Sequence, residues 1–159
     1  MRLKLVRRKE GDFFDMQTRV TAIENEYMKY LYRRQIEEEY KVGTISLAKF
    51  FGVKPATATE VLQKLAERDF LKYTRYYGVE FTEKGKVLAK KLLRKHRILE
   101  VLFVNFLKYD SQTACDEASR IDNYVSEELI NSICKAYGHP ETCPCNKTLF
   151  IDEMCMKGP

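Results

Sequence analysis

The stretch from Thr44 to Lys86, TISLAKFFGVKPATATEVLQKLAERDFLKYTRYYGVEFTEKGK, leaves little freedom in how it folds. Leu47, Ala48, Phe50 and Phe51 pattern a short amphipathic helix that stops at Gly52. Lys54-Pro55 then opens another, because proline suits the first helical turn. Two helices joined this closely predict a helix-turn-helix, the arrangement that places its second helix in a DNA major groove. On that helix Ala58, Val61, Leu62 and Leu65 recur at i, i+3, i+4, i+7 and face the core. Lys54, Ala56, Thr57, Thr59, Glu60 and Lys64 are left as candidate DNA-contacting residues. Two β-like runs follow, Phe70 to Thr74 and Val79 to Thr82, with Gly78 supplying the turn. They predict a wing whose tip offers Arg75 and Tyr77 to phosphate and groove.

The charge distribution agrees with a nucleic-acid partner. Lys and Arg exceed Asp and Glu by 3 over residues 1–53 and by 7 over 54–97, whereas 98–159 carries a net charge of −5. Cations concentrated on the predicted reader would release counterions from double-stranded DNA. With 159 residues, 45% hydrophobic and 32% charged, the chain has room for one domain or two small ones. No apolar run approaches the roughly 18 residues of a membrane span, and no signal-peptide pattern opens the chain. The expected location is cytoplasmic, without a membrane partner.

Punctuation along the chain predicts a mainly α protein: a winged helix-turn-helix followed by an all-helical dimerisation domain. Residues 1–17 read as a charged tail, 18–82 as the winged domain, 83–138 as the helical domain and 139–159 as a Cys-containing tail. A first helix is predicted from Thr18 or Thr21 to Tyr40, with Ile23, Tyr27 and Leu31 on one stripe; the glutamates at 37–39 oppose its dipole, so its end should fray. A long helix from Thr82-Glu83 to about Tyr109 carries Leu88, Leu92, His96, Leu99 and Phe103 on one face. Asp110-Ser111 and Ser126-Glu127 cap two shorter helices. The tail from His139 has no periodicity and stays loop-like unless something ties it down.

His96 and Glu100 stand one turn apart on the long helix, a spacing that lets both grip one divalent cation; a histidine on an apolar stripe serves equally as a hydrogen-bonded core residue. Five cysteines, an odd number without a secretion signal, favour thiol or metal chemistry over a disulfide framework. His139, Cys143, Cys145 and Cys155, with Cys134 nearby, form a candidate soft site for Zn or an iron–sulfur cluster, with free thiols as the alternative.

Several strings together carry a family likeness: ENEYMKYLY at 24–32, LAKFFGVKPATATEVLQKL at 47–65, YYGVEFTEKGKVLAKKLLRKHRILE at 76–100, CDEASRIDNYVSEEL at 115–129 and GHPETCPC at 138–145. In these the chain resembles the diphtheria-toxin-repressor (DtxR/MntR) family, of the two-domain type without the SH3-like domain. The resemblance implies a homodimeric, metal-dependent repressor that binds palindromic operators in genes of iron or manganese uptake. It also implies ligands. His96 and Glu100 match two residues of an ancillary metal site, and Cys115 stands where a third, commonly histidine, is found. A thiolate there tilts preference from Mn(II) towards Fe(II), Zn(II) or Co(II). Glu26, Ser119, Asp122 and Asn123 occupy the primary-site positions, where Ser119 and Asn123 are poor ligands for a transition metal. Three other readings remain open: a redox or iron–sulfur regulator using the C-terminal cysteines, an architectural DNA protein without an effector, and, remotely, a metallohydrolase, for which the chain lacks an H-E-x-x-H helix and an enzyme-like triad.

Overall fold

The computed structural model describes residues 20–74 and 77–156. The tail at 1–17 and the wing residue Arg75 lie outside them. The order of elements is α1 (Ala22–Tyr32), a π-helical turn (Arg33–Glu37), α2 (Thr44–Phe51), α3 (Pro55–Glu67), β1 (Leu71–Thr74), β2 (Gly78–Phe81), α4 (Glu83–Asn105), α5 (Ser111–Ile121), α6 (Glu127–Ala136) and α7 (Glu153–Met156). This is an N-terminal winged helix-turn-helix followed by a helical domain.

A capping box starts α1: the Thr21 hydroxyl accepts from Glu24 N–H, and the Glu24 carboxylate accepts from Thr21 N–H. The helix is shorter than its sequence suggests. It loosens into the π turn after Tyr32, where Glu37 turns towards Arg97 and Glu38 pairs with Arg34, so the three glutamates do not extend the helix against its dipole. Ile23, expected on the buried stripe, is 63% exposed; the inward position in that first turn belongs to Glu24, held by Arg68.

Between α2 and α3 the chain reverses through Gly52 at φ 65°, a left-handed conformation that glycine adopts without the Cβ penalty. Pro55 is the first residue of α3. Ala58, Leu62 and Leu65 are fully buried and Val61 is half-buried. The wing is an antiparallel pair with Leu71 opposite Phe81 and Thr74 opposite Gly78.

Two cores flank one continuous helix. Met28, Leu31, Leu47, Leu62, Leu65 and Val79 make the first, to which α4 contributes Ala89 and Leu93. The second gathers Ile98, Leu99 and Val101 of α4 with Ala114, Ala118, Ile130 and Leu149. The start of α4 presses against the hairpin so closely that a Cβ on Gly85 would lie 1.9 Å from the Phe70 carbonyl oxygen. The helix ends at Asn105, short of Tyr109, where Lys108 turns to φ 60° and Tyr109 N–H bonds back to the Phe103 carbonyl. The C-terminal segment is tied down: Arg97 donates to the Thr148 carbonyl, Phe150 packs edge-on against Tyr32, and Leu149 enters the second core.

Candidate functional site

The boundary between the two cores is where α4 turns His96 and Glu100 inward, both almost completely buried. His96 Nε2 lies 3.1 Å from Glu100 Oε1 and 3.4 Å from Cys115 Sγ on α5. These three donors lie within 4.8 Å of one another. The C-terminal segment adds Cys143 and Cys145, whose thiols gather around the same Glu100, Cys145 Sγ at 3.8 Å from its Oε1. Glu100 is therefore shared by two donor groups, and its other oxygen is buried without a hydrogen-bond partner. A buried carboxylate oxygen with no donor is costly, and a cation among an imidazole and three thiols would satisfy it. The residues fit a divalent transition metal with thiolate affinity.

Burial alone would lower the His96 pKa, but bonds to Asp122, Cys115 and Glu100 together raise it to about 10, so the ring is an imidazolium at neutral pH. Burial works against the Glu100 carboxylate, yet its hydrogen bond to His96 and the charge there hold its pKa below the usual value. Burial and the Glu100 charge raise the Cys145 thiol to about 11, and burial raises Cys143.

The primary-type positions tell a different story. Asp122, 2% exposed, accepts from His96 Nδ1 at 3.0 Å and from the Lys29 ammonium at 2.5 Å. Lys29, on α1 and equally buried, also pairs with Glu26 at 2.7 Å. Asn123 bridges Asn25 and Glu26 through its side-chain amide, and Ser119 faces solvent. Glu26 and Asp122 thus share a protein cation, while the other Asp122 oxygen is buried without a hydrogen-bond partner. Glu26, Lys29, Asp122, His96 and Glu100 form instead a chain of alternating charge from α1 through the end of α5 to α4.

His139 and Cys155 do not join Cys143 and Cys145. They meet Cys134, so the tail's soft ligands divide into two groups. Sequence reasoning missed Lys29, which stands three residues beyond Glu26 on the buried side of α1; it set Cys134 near the soft ligands of the tail but did not separate it, with His139 and Cys155, from Cys143 and Cys145. The i, i+3 acid–base spacing of Glu26 and Lys29 was the available signal.

On the reader, Lys54, Ala56, Thr57, Glu60 and Lys64 are exposed, and Tyr77 in the wing is 88% exposed. Thr59 is half-buried, with its hydroxyl bonded back to the Pro55 carbonyl at 2.9 Å, which leaves only its oxygen lone pairs for an outside donor. Tyr27 stacks on Phe51 and Tyr30 on Phe50, fixing α2 on α1 and so the angle at which α3 is presented.

A winged reader joined by one helix to a buried imidazole, carboxylate and thiol cluster defines a two-domain, ligand-responsive DNA-binding protein. Residues 19–79 match the iron dependent repressor N-terminal DNA binding domain, and 82–150 match the iron dependent repressor metal binding and dimerisation domain. An HTH-type transcriptional regulator of Methanocaldococcus jannaschii is 32% identical over 108 residues, covering 68% of this chain and 86% of the relative. The HTH-type transcriptional regulator MntR of Bacillus subtilis is 29% identical over 108 residues, covering 68% and 75%. Among solved structures, a manganese-dependent transcriptional repressor in complex with manganese superposes with a TM-score of 0.76 at 31% identity, over 82% of this chain. This chain spans 59% of that structure's length. The chain belongs to the DtxR/MntR family of metal-dependent transcriptional regulators, of the two-domain helix-turn-helix type. That family regulates transcription and is not one of enzymes.

Proposed function

We propose that this protein is a homodimeric repressor that binds palindromic operator DNA through α3 and the wing, and that a soft divalent metal at His96, Glu100 and Cys115 controls it. The observation that carries this reading is the buried Glu100 carboxylate, shared by two donor groups and still lacking a partner for one oxygen. Fe(II), Zn(II) and Co(II) suit this set better than Mn(II), because Cys115 supplies a soft thiolate and Cys143 and Cys145 stand beside the same carboxylate. The ion's contribution is positive charge that neutralises Glu100 and the thiolates at once. The regulated genes are those of metal homeostasis.

The chain's own residues supply the coupling. His96 holds Glu100 with one nitrogen and Asp122 with the other, and Asp122 holds Lys29 on α1. Rearranging the imidazole therefore changes the bond that fastens α1 to α5. Because α2 rides on α1 through stacked aromatics, such a change alters how two α3 helices are spaced for successive major grooves. Leu107, Tyr109, Tyr124 and Leu129, exposed around the helical domain, offer apolar area to a second copy.

The deciding experiment is DNA binding to the gene's own upstream region after anaerobic purification, with chelator and with each metal. Tight binding with Fe(II), Zn(II) or Co(II), weakened by chelation, supports the reading. Equal affinity in metal-free protein refutes the switch.

A further inference from the structure

Away from Glu100, three potential ligands converge from the end of α6 and from α7, with His139 N–H bonded back to the Cys134 carbonyl. Cys134 lies in the last turn of α6, His139 follows Gly138 just beyond it, and Cys155 sits on α7. Their ligand atoms lie within 4.8 Å of one another. Cys134 Sγ is 3.4 Å and Cys155 Sγ 3.7 Å from the same His139 Nδ1. Both thiols are buried, at 7% and 2% exposure.

Cys155 Sγ also reaches the Asn131 carbonyl, at 3.7 Å, so hydrogen bonding accounts for part of this arrangement. It does not by itself bring two thiols to one imidazole nitrogen, which offers a single lone pair or a single proton. A tetrahedral ion with metal–sulfur bonds near 2.3 Å and metal–nitrogen bonds near 2.0 Å holds its sulfur and nitrogen ligands roughly 3.6 Å apart, the spacing found here. A second observation points the same way. The Arg94 guanidinium, 4% exposed, borders the same cavity of about 370 Å³, where it pairs with Asp152 at 3.6 Å. A buried cation beside two thiols offsets the negative charge left when they ligate and lose their protons. The cavity, also lined by Glu141, leaves room for a fourth ligand or water.

We propose that Cys134, His139 and Cys155 form a second metal site, for one soft divalent ion of the Zn(II) type, that clasps the C-terminal segment onto α6. The segment between His139 and Cys155 carries Thr148, bonded to Arg97, and Phe150, packed on Tyr32. It also carries Cys143 and Cys145 to Glu100. The clasp fastens both ends of the loop that brings those thiols in.

The test is a titration of the reduced, chelator-stripped full chain with Co(II), read by thiolate charge-transfer absorbance, and with Zn(II), read by elemental analysis. Wild type should bind two ions per chain, and Cys134→Ser and His139→Asn one fewer, while Cys115→Ser keeps the clasp ion. His139→Asn guards against misfolding, since His139 has φ 56° and asparagine tolerates that conformation. Zn(II) should also protect residues 140–152 from limited proteolysis in Cys115→Ser and fail to do so in His139→Asn. One ion in wild type, lost in Cys134→Ser and kept in Cys115→Ser, would support the clasp while sinking the Glu100 centre. Unchanged stoichiometry in both Cys134→Ser and His139→Asn overturns the proposal, as does a fully reduced wild type that takes up no Co(II) or Zn(II).

Discussion

Replacing Lys29 by methionine keeps the unbranched apolar stem and deletes the charge between Glu26 and Asp122. Removing one partner of a buried ion pair costs about 3–5 kcal/mol, because the other charge is left uncompensated. Two features place the expected loss at the lower end, about 3 kcal/mol. The Glu26 side chain is 36% exposed, so its part of the pair has surface value only, about 0–1 kcal/mol. Asp122 keeps its bond to His96. Urea denaturation of metal-free protein measures the change directly. The decisive comparison is the double variant Lys29→Met with Asp122→Asn. Removing the stranded carboxylate should restore at least about 1 kcal/mol relative to Lys29→Met alone, whereas Asp122→Asn by itself should destabilise the wild type. If Lys29→Met changes stability by less than about 0.5 kcal/mol, or if the two losses simply add, Lys29 is not the cation that Asp122 requires.

On the reader, Lys54→Ala should weaken binding to all DNA sequences alike and reduce the salt dependence by roughly one counterion per protomer, whereas Glu60→Gln should shift sequence preference; fluorescence anisotropy across a salt series separates the two. The His96 pKa of about 10 lies above its ordinary 6.5, so its contribution to metal-free stability is complete below pH 6.5 and disappears as pH rises towards 10. Urea midpoints of stripped protein should fall across that window, and a His96→Gln variant should lose that part of the slope. Gly85→Ala should cost about 1–3 kcal/mol through its collision with the Phe70 carbonyl, seen as a lowered thermal midpoint with the wing most affected by hydrogen exchange.

The reader was legible because its signals are local. Gly52, Lys54-Pro55 and the Ala58–Leu62–Leu65 spacing each fix backbone or face within a few residues. The His96–Glu100 pair was legible for the same reason, one helical turn apart. Lys29 was not, because periodicity assigns a lysine to solvent, and only the arrival of Asp122 from a residue 93 positions away makes its burial tolerable. The division of the tail's ligands was hidden likewise. Cys143 and Cys145 are near His139 in sequence, but the turn tied by the Thr142–Thr148 bridge points them to Glu100, and Cys134 reaches His139 through the end of α6. Ile23 failed because a capping carboxylate took the inward place that hydrophobicity would give it.

The helix that leaves the wing and reaches Glu100 without a break acts as a rigid arm. From Glu83 to Glu100 it spans about 27 Å at 1.5 Å per residue. A tilt of about 5° at the metal end therefore carries its other end, and the hairpin wedged on Gly85, about 2 Å, more than half the rise of one DNA base step. A rearrangement of bond-length size at the buried cluster is thus enlarged into a displacement that a double helix can register.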